Sequence, residues 1–195
     1  MTHLSRILLV LLVVGVVAAS LGVASNAIWT DSADVDANVF TTGSVEIETD
    51  HPTTAVVTYD DMAPGDSTGG QSLTVSNAGS LELRYAVTMT ADNTDLKGLY
   101  AELDMTIREE GTDCSTFDGT VLYGPASPFL LSGNLIGDPT QGEDTGDQIL
   151  TTTSPGDSKV LCFKVDLPLG ALSSVQDAST TAVFTFEAEQ TANNP

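Results

Sequence analysis

Apolar positions along this chain follow two rhythms. From Ile7 to Ala19 they are unbroken, with Arg6 before them and small residues after. Beyond residue 43 they alternate with polar ones. Residues 82–90 place Tyr85, Val87 and Met89 on one face and Arg84, Thr88 and Thr90 on the other. Residues 99–108 oppose Leu103, Met105 and Ile107 to Asp104, Thr106 and Arg108. Residues 159–167 gather Leu161, Phe163, Val165 and Leu167, and residues 181–189 gather Phe184, Phe186 and Ala188. Period two is the mark of a strand with one buried and one wet face. Shorter β-branched runs predict strands at 44–48, 55–59 and 71–76, separated by turns at Asp50-His51-Pro52 and Ala63-Pro64-Gly65-Asp66.

Between residues 111 and 157 the alternation weakens and Gly, Pro, Asp, Ser and Thr dominate. This stretch reads as a long connection with one or two short strands, apolar islands at Phe129-Leu130-Leu131 and Leu135-Ile136, and a mobile acidic part at 142–148. Residues 171–178 predict one or two helical turns. Seven or more short strands between turns predict an all-β fold, an antiparallel β-sandwich of jelly-roll type behind an N-terminal apolar signal helix.

That first apolar run has the order of a secretory signal peptide: a basic start, an apolar centre and a small-residue exit. The expected cleavage lies between Ala27 and Ile28, with Ser25 and Ala27 small enough for the peptidase subsites. Extended to Ala24, the run also has the length of a bilayer span, so an uncleaved anchor is the alternative. The expected domains are a signal peptide at 1–27, an N-terminal donor segment at 28–43 and a sandwich at 44–195.

Charge narrows the function. The chain has 27 acidic residues against 6 Lys and Arg, a formal net charge of −21. Nucleic-acid binding is excluded as a main activity, because it needs clustered bases. Membrane contact is expected only through the leader. Two cysteines, Cys114 and Cys162, form the only pair and are expected as a disulfide in an exported protein, two separate thiols being the alternative. Cys162 shares the outward parity of Lys164 and Asp166, so the bond is expected to tie the 111–117 loop across a strand's outer face.

No catalytic, cofactor or metal residues are assigned from the sequence. Of two histidines, His3 lies in the leader and His51 in a turn. No His-Glu-x-x-His is present. Asp34-x-Asp36-x-Asn38 matches half of a calcium loop, but Val39 replaces the glycine and Val45 the closing glutamate.

Four blocks in order resemble the TasA/camelysin family, whose members are secreted β-rich subunits of extracellular fibres. The first is Ile28-Trp29-Thr30-Asp31 through Asn38-Val39-Phe40-Thr41-Thr42-Gly43-Ser44-Val45-Glu46-Ile47. The second is Met62-Ala63-Pro64-Gly65-Asp66 with Asn77-Ala78-Gly79-Ser80-Leu81. The third is residues 99–107. The last is Phe184-Thr185-Phe186-Glu187-Ala188-Glu189-Gln190. The cysteine pair and the 111–157 connection depart from shorter members.

The resemblance implies a jelly-roll subunit with a SipW-type leader, secreted to the matrix or cell surface. It partners itself as a homopolymer, together with other matrix proteins, by lending its N-terminal segment to the next subunit. Ile28, Trp29, Asp31, Val39 and Phe40 are the expected assembly residues, apolar brackets around a polar centre. An ordinary edge strand within its own subunit is the alternative for this segment. The alternatives for function are a secreted metalloendopeptidase of camelysin type and a monomeric surface-attached binding module.

Overall fold

A computed structural model describes residues 3–22, 41–154 and 156–194. Two units separate at residues 41 and 42. In the first, the apolar leader forms helix α1 (His3–Gly22), with Leu8, Leu9, Leu11 and Leu12 exposed.

The second unit is the expected all-β antiparallel sandwich. Its strands are β1 (Ile47–Thr49), β2 (Gln71–Asn77), β3 (Leu83–Ala91), β4 (Asp104–Glu109), β5 (Val121–Pro128), β6 (Ser132–Ile136), β7 (Gln148–Leu150), β8 (Ser158–Asp166) and β9 (Ala182–Gln190). One sheet runs β1-β2-β8-β4-β5. In the other, β3 is central, with β6 and β7 sharing one side and β9 on the opposite side.

Alternation explains the core. Tyr85, Val87 and Met89 of β3 meet Met105 and Ile107 of β4 and Leu161 and Phe163 of β8, all fully buried. Phe163 and Phe184 lie 5.1 Å apart between ring centroids, joining the two sheets. Burying each such side chain contributes about 1.5–3 kcal/mol.

The family-like blocks turn out to be fasteners. Asn77 donates through Nδ2 to the Leu81 carbonyl at 2.8 Å and the Thr151 carbonyl at 3.0 Å, while its Oδ1 accepts from Gly79 N at 2.9 Å. Ser80 and Leu81 amides donate to the Ser44 carbonyl, and Ser44 N donates to Ser80 Oγ. Gly79 is required by close approach, since a Cβ there would meet the Ser44 carbonyl at 2.5 Å. This knot fixes where the chain enters the sandwich. The Pro64-Gly65-Asp66 turn closes on itself through Ala63 N to Asp66 Oδ2 at 2.9 Å. It clamps the end of β8 through Gly65 N to Leu167 O at 2.7 Å and Leu167 N to Asp66 O at 2.9 Å.

Several expectations are corrected. Residues 55–59 form no strand; Val56 and Val57 pack against the core without joining a ladder. Residues 44–46 are extended but unpaired as strand, and β1 begins at Ile47. Residues 99–102 form a 3₁₀ turn after Gly98, whose left-handed φ of 76° breaks the preceding chain, so β4 begins only at Asp104. The connection at 111–157 holds three strands, β5, β6 and β7. The helical turn at 171–178 is a short 3₁₀ piece at 173–175. Arg84, placed on a wet face by parity, is buried. The loop between β6 and β7 reaches over it.

The cysteines are joined as Cys114–Cys162, with Cα atoms 5.2 Å apart. Cys162 faces outward yet is buried, because the 111–117 loop lies over it. Phe117 in that loop sits 5.2 Å from the Arg108 guanidinium and 5.3 Å from the Lys164 ammonium. These cation–π contacts help hold the loop down. Gly70 lets the loop approach β2, since a Cβ there would collide with the Cys114 carbonyl.

Candidate functional site

Two sheets have four lateral edges, and most of them are unfit for pairing. β1 has three residues, and β6 and β7 divide one side of β3 between five and three. β5 contains Pro125 and Pro128 and shifts register twice against β4. Proline, bulges and shortness blunt an edge against further strands. β9 has none of these protections. It is nine residues long, free of proline, and paired with β3 in unbroken register from Leu83↔Gln190 to Ala91↔Ala182. Among the described residues, no other backbone segment bonds to the main chain of residues 182–190.

Burial marks the same edge. The inward side chains of β3 are sealed, while Phe184, Phe186 and Ala188 on β9 are only half-buried. The core is thus open along the outer side of β9. Both conditions for strand addition coincide there: free main-chain donors and acceptors, and half-buried apolar side chains at alternate positions.

Charge fastens the lower end of this strand. Arg84 donates through Nε to Glu189 Oε1 at 2.7 Å, with a terminal nitrogen 2.6 Å from the same oxygen. Gly142 N donates to Glu189 Oε2 at 3.1 Å, and Asp147 Oδ2 lies 3.7 Å from Arg84 Nε. Burial raises the Asp147 carboxyl above its usual range. Desolvation also pushes Glu189 upward. The hydrogen bonds from Asn194, Arg84 and the Gly142 amide, with the Arg84 charge, more than reverse it, and Glu189 titrates below its ordinary value. A depression lined by Asp138, Gln141, Asp147 and Glu187 runs beside β9 at this end.

The residues expected for assembly, Ile28, Trp29, Asp31, Val39 and Phe40, lie outside the described residues, as do Ala27 and the cleavage position. The sequence points to a donor segment but carries no sign of its acceptor. Phe184, Phe186 and Ala188 share a face as their alternation predicts, yet alternation is the same for an edge strand and a central one. Only the topology distinguishes them.

Among the described residues, the donor set does not fit a zinc centre. His51 Nδ1 is 2.7 Å from Asp50 Oδ1 in an exposed turn, and both cysteines are consumed by their disulfide. Among the described residues, no three His, Cys, Asp or Glu side chains converge to hold a metal ion.

Comparison with known proteins gives one family. The family described as camelysin metallo-endopeptidase matches residues 8–113, just over half of the chain. No curated protein matches. The matched span runs from the leader through β4 and includes the Asn77–Leu81 knot and the Pro-Gly-Asp clamp. β9 and Cys162 lie beyond it. With the ordered N-terminal blocks and the fasteners they build, the match establishes that the chain belongs to the TasA/camelysin family.

Proposed function

We propose that this protein is a secreted structural subunit that polymerises into extracellular or cell-surface fibres of a biofilm matrix. Residues 28–40 of one copy add as a strand to β9 of the next. The observation that carries this reading is the unblunted edge of β9 above a half-open core. Family membership fits a secreted or surface protein. The signal helix is removed between Ala27 and Ile28, so that the donor segment becomes the new N-terminus. Sequencing the exported protein from its N-terminus tests that step, and an intact leader there would overturn it.

Strand addition supplies a main-chain ladder and lets apolar side chains finish the neighbour's core. Trp29 alone contributes about 2 kcal/mol when its area is buried. Within 32–38, Ala33, Val35 and Ala37 alternate with Asp34, Asp36 and Asn38, a small apolar face of the kind an added edge strand turns inward. The test is electron microscopy of the purified mature protein and of a variant lacking residues 28–38. Filaments from the first and folded monomers from the second are expected. Filaments from both would exclude donation by this segment. An unfolded variant would assign the segment to its own subunit's sheet.

The name of the matched family motivates the second reading, a secreted metalloendopeptidase. A zymogram with and without chelator tests it. A chelator-sensitive band would support protease activity against the non-enzymatic role proposed above.

A further inference from the structure

Most of the sandwich surface is polar and acidic, and one pole adds three outward leucines to it. Leu96 is 86% exposed, Leu169 85% and Leu172 61%. They lie on two segments that brace each other beyond the ends of β3 and β8. Lys97 Nζ donates to the carbonyls of Gln176 at 2.8 Å and Asp177 at 2.7 Å. Ser179 N donates to Asp95 Oδ2 at 2.8 Å, and Leu172 N to Glu102 Oε2 at 3.0 Å. Lys97, Asp95 and Glu102 of this pole are therefore engaged with backbone, and the leucines stand outward. Leu96 also adopts a left-handed φ of 58°, where Asn or Gly is the easier choice. Within the subunit an exposed leucine in that conformation gains nothing.

Position suggests what covers it. β9 starts at this pole, with Asp92 N donating to Thr181 O at 2.9 Å, and Val183 at the head of that strand is itself 61% exposed. The chain's own entry at Ser44, knotted to Ser80 and Leu81, is at the other pole, where β9 ends against Leu83. A copy stacked head to tail delivers its N-terminal segment over the leucine pole first. Its donor strand then runs antiparallel to β9, as every neighbour in this sandwich does. Nine residues match the length of β9, roughly 30 Å. The thirteen residues from Ile28 to Phe40 reach roughly 43 Å. The excess, residues 37–40, crosses the pole, and it contains Val39 and Phe40.

We propose that the pole carrying Leu96, Leu169 and Leu172 is the seat for Val39 and Phe40 of the next copy of this chain. The inference rests on the strand-donation reading and adds a second contact with a fixed polarity.

The test places a photoreactive benzoylphenylalanine at Phe40 or at Trp29 in the mature chain. Isotopically mixed subunits are polymerised, and cross-links between copies are mapped by mass spectrometry. Phe40 cross-links to residues 92–98 or 167–175 of another copy are expected. If Trp29 captures β9 of another copy while Phe40 captures a different surface, the pole proposal falls and strand donation stands. If Phe40 captures the pole while Trp29 misses β9, the β9 acceptor falls and the pole stands. Capture only within one subunit overturns both.

A Leu96→Asn variant gives an independent reading, since Asn accepts the left-handed backbone. Its subunit should melt no lower than wild type, while the critical concentration for polymerisation rises about tenfold, as loss of a buried leucine contact implies. An unchanged critical concentration would remove Leu96 from the seat.

Discussion

Arg84 and Glu189 face each other across β3 and β9 and share an ion pair in which Nε donates to Oε1 at 2.7 Å. The pair ties the one long free edge strand to the strand beneath it. It also collects the Gly142 amide, so the β6–β7 loop is fastened at the same point. An edge held rigid before a partner arrives loses less conformational freedom on pairing.

Replacing either partner leaves the other without its mate under that loop. Arg84→Met and Glu189→Met should each lower stability by about 2–3 kcal/mol. The double replacement should lower it by less than the sum, because the Arg84–Glu189 interaction is lost only once. Denaturant unfolding of the four proteins in this cycle checks the coupling. Strict additivity would deny it.

Tyr85 lies in the core, and among the described residues its hydroxyl has no hydrogen-bond partner. Burial first, and the nearby Glu109 charge second, push the phenol far above its ordinary value. Tyr85→Phe should therefore raise stability, by about 1 kcal/mol, by removing an unmatched buried polar group. Thermal unfolding of the variant measures this. Destabilisation would mean that the hydroxyl has a partner in solution.

The disulfide closes a span of 48 residues. Replacing Cys114 and Cys162 by Ser should cost about 2–4 kcal/mol and lower the melting temperature by several degrees. Calorimetry of the double variant checks the size. An unchanged melting temperature would mean that Phe117, between Arg108 and Lys164, holds the loop without the bond.

Acid should act on the turns. Asp95 is held below its ordinary value chiefly by the Lys97 amide, Asp113 by the Ser115 hydroxyl, Asp118 by the Thr112 amide and Asp138 by the Thr140 amide. A carboxyl lowered on folding stabilises above its unfolded value, 3.8 here, and that contribution is lost as pH falls through the folded value. Asp147, raised by burial, acts oppositely and offsets part of the loss. Subunit stability should hold near neutrality and decline below about pH 4. A melting series against pH tests this, with a rise in melting temperature below that range as the contrary result.

Much of the fold was legible because alternation reports burial directly. Tyr85, Val87 and Met89 fell inward as their parity requires, and Cys162 fell outward toward Cys114. Val56 and Val57 misled, because β-branched residues can bury against a core without a ladder partner. β5 was hidden by Gly124, Pro125 and Pro128, residues that read as loop but suit a blunted edge. Arg84 gave no local sign of burial, since its cover comes from a loop more than 50 residues away. The edge status of β9 was invisible for the same reason. Which strand lies outermost depends on how distant segments pair.

The central claim is that β9 gains a strand when subunits polymerise. Hydrogen exchange of the mature protein, compared between monomer and filament, tests it most directly. Alternate amides of residues 182–190, those turned away from β3, should exchange freely in the monomer and become protected in the filament. Deleting residues 28–38 should leave them unprotected. Filaments in which β9 exchanges as fast as in the monomer would contradict the account.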